Sequence, residues 1–295
     1  MIDILGPGAL GIHCALSLPA HCEVRLRHPK AEGSTWTLKR DEGVTRTVDC
    51  LALTDPSPIQ QLIVTTKAAQ VVAAVSSVFP FLTARAEILL LHNGLGPQDA
   101  VAEQLSPEQA LYVGVSTEGV VRTGAQQISH RSVGLTQVGP WQRSWPKPAL
   151  FASLAAGSWA MTWLEDPQAT QLSVWQKLII NTAINPLTAL LDVPNGALAS
   201  PEHQVLWRPL VYEACAVANQ LGLNLMPELE CKRVLAVIHS TAENHSSMWQ
   251  DWAQGRPSEA DFILAPLLAN RHNLECPALL QLYEQVKSRE AAGRQ

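Results

Sequence analysis

The 295-residue chain has little positive charge to offer a polyanion. Lys and Arg (21) are outnumbered by Asp and Glu (26), and no basic block exceeds two adjacent residues. Binding to nucleic acid or to an anionic membrane needs clustered cations, so neither is an expected partner. No apolar run approaches the roughly 18–20 residues of a spanning helix. Six cysteines are present (Cys14, Cys22, Cys50, Cys215, Cys231 and Cys276), with no C-x-x-C pair. They read as free thiols in a reducing compartment, which leads us to expect a cytoplasmic protein. The nine histidines show no ligand spacing, so no metal site is expected. There is no internal repeat and no low-complexity tract. An apolar strand begins at Met1, so no leader segment is expected. Hydrophobic residues make up 47% of the chain. That supports a folded core, and the length suits one large domain or two moderate ones.

The opening residues carry the first functional signal. Ile2 to Leu5 is a short apolar strand running into Gly6-Pro7-Gly8-Ala9-Leu10-Gly11, a G-x-G-x-x-G turn that leads into a helix over Ala9 to Leu18. Gly6 permits the tight turn, Gly8 lets backbone approach a pyrophosphate, and Gly11 lets helix and sheet pack closely. The helix start adds oriented N–H groups and positive partial charge. A second strand follows over Glu23 to Leu26. An NAD site usually places a carboxylate at the end of that strand. Here the chain reads Arg25-Leu26-Arg27-His28-Pro29. Arg27 sits where a guanidinium could grip a 2′-phosphate, which favours NADP over NAD.

The sheet is expected to continue through Leu62 to Lys67, a helix over Ala68 to Phe79, and a strand over Glu87 to Leu91 leading to His92-Asn93-Gly94. Lys67 and Asn93 lie at carboxyl ends of strands, where open α/β sheets bind ligands. Residues 110 to 140 read as antiparallel strands closing this half, with a last strand within Trp159 to Leu164. Glu165-Asp166-Pro167 marks a boundary. We therefore expect an α/β protein, with a Rossmann-like dinucleotide-binding domain over 1–166 and an all-α domain over 167–295. The expected site is the cleft between them.

From Thr170 to Leu191 the pattern is helical and apolar on nearly every face, as in a buried helix. Lys177, Asn181 and Asn185 are the polar exceptions. At ~100° per residue, a spacing of four drifts only about 40° around the axis, so all three share one stripe. Pro186 predicts a kink or loosening near Asn185. A largely buried lysine has a depressed pKa suited to general-acid work, and the asparagines could fix a carboxylate, a hydroxyl or the lysine. The same stripe would also serve helix–helix hydrogen bonding with Lys177 reaching solvent. Further on, Pro194-Asn195-Gly196 makes a turn, Ser246-Ser247 opens a polar segment, and Ser258-Glu259 precedes an apolar helix. Glu259 suits either first-turn dipole stabilisation or a carboxylate that bonds substrate hydroxyls or tunes Lys177.

These strings together resemble the ketopantoate reductase (2-dehydropantoate 2-reductase) family over nearly the whole chain. The residues that carry the resemblance are Gly6 to Gly11, Thr66-Lys67, His92 to Gly96, Lys177-Leu178-x-x-Asn181-x-x-x-Asn185-Pro186-Leu187-Thr188-Ala189, Pro194-Asn195-Gly196, and Ser246-Ser247-Met248-x-Gln250-Asp251 with Glu259. The resemblance implies NADPH-dependent reduction of ketopantoate to pantoate, on the route to pantothenate. It implies Lys177 as general acid and Asn181, Asn185, Asn195, Ser247 and Glu259 as groups holding the substrate. Lys67 and Asn93 would lie near the nicotinamide and ribose, and Arg27 at the 2′-phosphate. The catalytic set would be Lys177, Glu259 and Asn181. The expected partner is a small 2-keto acid, with no metal, and the apolar helical domain permits a homodimer. The chain departs from the family at Ala68-Ala69, where an aromatic is frequent, and in segment 95–165. Trp249 and Trp252 would stand near a substrate lid. Two further readings are a reductase of another branched 2-keto acid and a non-catalytic NADPH-binding sensor. Retention of Lys177 and Glu259 argues against the sensor.

Overall fold

The computed structural model describes residues 1–31 and 33–292. It divides into two compact units. One comprises Met1–His92 and Gly96–Ser173, the other Asn93–Leu95 and the chain from Val174 onward. The division falls after Ser173, inside a helix, rather than at the 166/167 boundary read from the sequence.

The first unit is built on one sheet of eleven strands among the described residues. In chain order its elements are β1 (Ile2–Leu5), α1 (Ala9–Ser17), β2 (Val24–Arg27), β3 (Ser34–Arg40), β4 (Thr45–Leu51), β5 (Ile59–Val64), α2 (Ala68–Val78) and β6 (Leu82–Leu90). There follow α3 (Pro97–Ala102), β7 (Ala110–Ser116), β8 (Gly119–Gly124), β9 (Gln127–Ser132), β10 (Thr136–Pro140), α4 (Ala149–Ala155) and β11 (Met161–Trp163). The spatial order is β11-β10-β7-β6-β5-β1-β2-β4-β3-β9-β8. From β7 to β4 every neighbouring pair is parallel. Parallel strands are covered on both faces, which is why the end of β5 reads as a continuous apolar run and β1 is apolar but for Asp3. Ile2, Ile4, Leu26 and Ile63 share one core cluster with Ile12, Cys14, Ala15 and Leu16 of α1.

Two features depart from the sequence reading. The β3–β4 hairpin was not foreseen. The strands between 110 and 140, expected to run antiparallel together, are sent to opposite edges of the sheet. β7 is parallel to β6 and only β10 is antiparallel to β7, whereas the β8–β9 hairpin joins β3 at the far edge. There it lies against α1, which explains why that helix is buried from Gly11 to Ser17. Alternation along a strand reports burial and not which neighbour it pairs with, so this partition was invisible in the sequence.

The second unit is helical: most of α5 (Pro167–Leu191), a 3-10 turn over Asn195–Ala199, α6 (Pro201–Gln220), α7 (Pro227–Ser240), α8 (Ser247–Ala253), α9 (Ala260–Ile263), α10 (Ala265–Ala269) and α11 (Pro277–Ala292). α5 buries Val174, Trp175, Leu178, Ile179, Ala183, Ile184 and Leu187. It runs on to Leu191 as helix with Pro186 inside it. Pro186 leaves the carbonyl of Thr182 without its usual donor. One turn on, the Thr188 hydroxyl donates to the carbonyls of Ile184 and Asn185 at 2.8 and 3.1 Å. The start of α11 is satisfied from α6, where the Glu213 carboxylate accepts from the N–H groups of Ala278 and Leu279. All six cysteines are free. Among the described residues no helix is long and apolar enough to cross a membrane.

Candidate active site

The glycine loop leaves the carboxyl end of β1, between β2 on one side and β5 on the other. That is the switch point at which open α/β sheets bind nucleotides. The three glycines have separate reasons for being there. Gly6 has φ +94°, and a Cβ on it would stand 2.6 Å from Thr66 Cγ2. A Cβ on Gly11 would stand 2.5 Å from the carbonyl oxygen of Gly6. A Cβ on Gly8 would meet nothing within 4 Å. Gly6 and Gly11 are therefore required by the fold itself, whereas Gly8 faces open space. Thr65 of the β5 end ties the loop down, its hydroxyl donating to the Gly6 carbonyl at 2.6 Å. Pro7 is buried, while Ala9 and Leu10 are half-buried at the start of α1. Lys67 is exposed at the N-terminal cap position of α2.

Arg27 ends β2, as the sequence reading has it, but its side chain turns inward. It is fully buried. Its Nε donates to Asp3 Oδ1 at 2.8 Å, and its two terminal nitrogens donate to the carbonyls of Asp55 and Ser57, each at 2.9 Å. Arg25 reaches the other Asp3 oxygen at 2.7 Å. Both arginines thus close on one buried carboxylate within the unit, which corrects the expectation that Arg27 is free to grip a 2′-phosphate. The signal was available: Asp3 is a charge inside the apolar run Ile2-Asp3-Ile4-Leu5, and such a charge needs a partner.

The second unit gathers the polar stripe of α5. Lys177 and Asn181 are half-buried, and Asn185 is buried. Burial lowers the Lys177 pKa to about 8, partly offset by the Glu259 carboxylate, which raises it. Glu259 is 7% exposed and stands at the cap position of α9, yet its side chain makes no capping hydrogen bond. That role falls to Ser258, whose hydroxyl accepts from the Ala260 N–H at 3.1 Å and donates to Glu290 at 2.6 Å. Glu259 instead accepts from Asn93 Nδ2 at 3.4 Å. Asn93 belongs to the three-residue piece that packs with this unit. Its neighbours explain why: the Leu95 N–H donates to the Phe262 carbonyl at 2.8 Å, and a Cβ on Gly94 would collide with the same residue.

Asn185 Nδ2 donates to Ser247 Oγ at 3.4 Å. Beside it, Ser246 caps α8 by accepting from the Trp249 N–H, and its hydroxyl pairs with that of Thr188 at 2.8 Å. Thr188 and Ser246 therefore clip α8 to α5 and fix where Ser247 stands. Neither was singled out for this role in the sequence. Asn195 is buried. Its Nδ2 donates to Thr241 Oγ1 at 2.9 Å, while Oδ1 has no hydrogen-bond partner. Trp249 does not hang free as a lid. Its Nε1 donates to Asp192 at 2.6 Å and its ring lies 4.0 Å from that of His245.

The fold also gathers three groups that spacing left apart. Ligand atoms of His13, Glu118 and His130 lie within 4.8 Å of one another, and His130 Nε2 is 2.6 Å from Glu118 Oε2. Arg40 approaches His13 Nδ1 at 3.3 Å. A guanidinium can only donate, so Nδ1 accepts and the proton of the neutral ring sits on Nε2. Burial, with Arg40 and His130 nearby, holds the His13 pKa down to about 3.

The chain matches known proteins over nearly its whole length. Residues 2–143 match the family model described as ketopantoate reductase PanE/ApbA, and residues 169–290 match its C-terminal counterpart. The chain is 35% identical over 298 residues to the 2-dehydropantoate 2-reductase of Vibrio cholerae serotype O1, covering 98% of this chain and 97% of that protein. Among solved structures, the PanE/ApbA family ketopantoate reductase from Ralstonia eutropha JMP134 superposes with a TM-score of 0.85 at 23% identity, covering 100% of each chain. A D-mandelate dehydrogenase in a ternary complex with NADH and anilino(oxo)acetate superposes with a TM-score of 0.88 at 19% identity, covering 100% of this chain and 99% of that one. At these identities the two structures speak to the fold alone.

Proposed function

The chain belongs to the ketopantoate reductase family, and we propose that it reduces 2-dehydropantoate to pantoate with NADPH. The observation that carries the reading is the half-buried Lys177, held near a working pKa with Glu259 acting on it. The glycine cradle at β1 fits a dinucleotide, and Gly8 faces space that a pyrophosphate can fill. The nicotinamide supplies a hydride to the keto carbon when the cofactor is bound. Negative charge then develops on the keto oxygen. Lys177 Nζ stabilises that charge and gives up a proton, so the oxygen ends as a hydroxyl and the lysine as a neutral amine. The proton returns from solvent.

Glu259 has two tasks in this scheme. Its charge keeps Lys177 protonated near neutral pH, against the pull of burial. Its carboxylate also accepts from a substrate hydroxyl. Asn195 Oδ1, buried with one bond unmade, is a second acceptor for a hydroxyl, since an unsatisfied buried oxygen gains on pairing. Asn181, Asn185 and Ser247 offer donors to the carboxylate end. Asn93, joined to Glu259, holds that carboxylate in orientation. Lys67 stands at the β5 end, on the same edge of the sheet as the glycine loop. The six free cysteines fit a reducing, cytoplasmic setting.

The test is nicotinamide absorbance with 2-dehydropantoate and, in parallel, other branched 2-keto acids, for the wild type and Lys177→Ala. Turnover on 2-dehydropantoate well above the others, lost in the variant, is the expected result. A folded, NADPH-binding protein that turns over a different 2-keto acid would reject this substrate.

A further inference from the structure

NADPH differs from NADH only by a phosphate on the adenosine ribose, and in this architecture that phosphate falls at the carboxyl end of β2. The fold has withdrawn the arginine on that strand. Arg25 and Arg27 are two residues apart and so project from one face of the sheet. The parallel register sets Asp3 beside Arg25 and Leu5 beside Arg27. Arg27 therefore lies back along the strand to Asp3, beneath the 52–58 loop whose carbonyls take its other nitrogens. Turning it toward a ligand would break three hydrogen bonds, one of them the ion pair to Asp3, and would leave Asp3 with Arg25 alone. Removing one member of a buried pair is strongly unfavourable.

The residues just beyond the strand are differently placed. His28 continues the ladder, its N–H donating to the Leu51 carbonyl at 3.0 Å. The chain then turns, with the Ala31 N–H on the His28 carbonyl at 3.1 Å and the Lys30 N–H on His28 Nδ1 at 3.2 Å. Pro29 and Lys30 are exposed, while His28 is half-buried with its ring 5.8 Å from Trp36. Burial lowers the His28 pKa, and the charges of Arg122 and Lys30 lower it further. The turn is thus fixed through His28, and Lys30 is the cation it presents.

We propose that Lys30, presented by the His28 turn, reads the 2′-phosphate of the cofactor, and that Asp3 causes this by locking Arg27 into the sheet. The proposal rests on the NADP reading above and deepens it. A lysine is a point charge and cannot form the paired bonds of a guanidinium, so discrimination against NAD is expected to be moderate.

The experiment is calorimetric titration of NADP⁺ and of NAD⁺ into the wild type, Lys30→Ala, Lys30→Arg and Arg27→Met. A charge-assisted phosphate contact implies that Lys30→Ala weakens NADP⁺ by about tenfold to hundredfold and leaves NAD⁺ unchanged. Lys30→Arg is expected to restore NADP⁺. Arg27→Met, if it folds, is expected to lower the melting temperature and to leave the NADP⁺/NAD⁺ ratio as it was. Equal NADP⁺ affinity in Lys30→Ala and wild type overturns the proposal, as does selective loss of NADP⁺ in Arg27→Met. Should Arg27→Met not fold, the two Lys30 variants decide alone. Failure of the wild type to bind either dinucleotide would instead reject the functional reading itself.

Discussion

The coupling between Lys177 and Glu259 makes a quantitative claim about pH. Lys177 has its pKa lowered to about 8 by burial, against an upward pull from the Glu259 carboxylate. In the proposed role of general acid it must be protonated, so reduction at saturating substrate should be flat below about pH 7 and fall about tenfold per unit above about pH 8.5. Glu259→Gln removes the charge and keeps the shape. A nearby opposite charge is worth on the order of 1–3 pKa units, and the lower figure moves the limb from about 8 to about 7. The protonated fraction then drops about threefold at pH 7.5 and about ninefold at pH 9, and hardly at all at pH 6. A loss of substrate contact would raise KM at every pH, whereas loss of the charge moves the limb of kcat, so the two tasks of Glu259 separate in one data set. The assay is kcat against pH with NADPH and with its 4-deuterated form, the isotope effect marking where chemistry limits the rate. An unmoved limb in Glu259→Gln, or one moved upward, would refute the coupling.

Four further outcomes follow from the geometry. Gly8→Ala should keep the wild-type melting temperature but bind dinucleotide more weakly, whereas Gly6→Ala and Gly11→Ala should destabilise the fold, because only the last two place a Cβ against neighbouring atoms; melting curves and titration together check this. Lys177→Met should abolish reduction. It should also alter the pH dependence of stability: the unfolded chain binds the Lys177 proton up to about 10.5 and the folded one only to about 8, so wild-type stability should rise relative to the variant across that window, by on the order of 3 kcal/mol, as read from urea unfolding at several pH values. Asp3→Ala, which strands the buried Arg27, should cost roughly 3–5 kcal/mol in the same unfolding assay. Ser246→Ala should cost about 1 kcal/mol through loss of the α8 cap and should also raise KM, since Ser247 loses its fixed position.

Much of the architecture was legible because it rests on local rules. The strand, glycine turn and helix at residues 2 to 17 are dictated by alternation, backbone freedom and helix geometry, all of which act over a few residues. The stripe of Lys177, Asn181 and Asn185 follows from helical periodicity alone, and the Lys-x-x-x-Asn-x-x-x-Asn-Pro string marked the family. Segment 95–165 was legible as strands but not as a pairing order, because a strand's partners are chosen by long-range closure.

The amino-acid sequence by itself determined the glycine loop after β1 and the polar stripe of α5 that carries Lys177. Tertiary structure alone decided which charges meet. It joined Asn93 to Glu259 across 166 positions of the chain, put Lys177 under the influence of that carboxylate, and turned Arg27 inward to Asp3. The reason is electrostatic. A buried charge is tolerable only with a partner, and the nearest partner in space is set by the register of strands and the packing of helices, neither of which a sequence position reports.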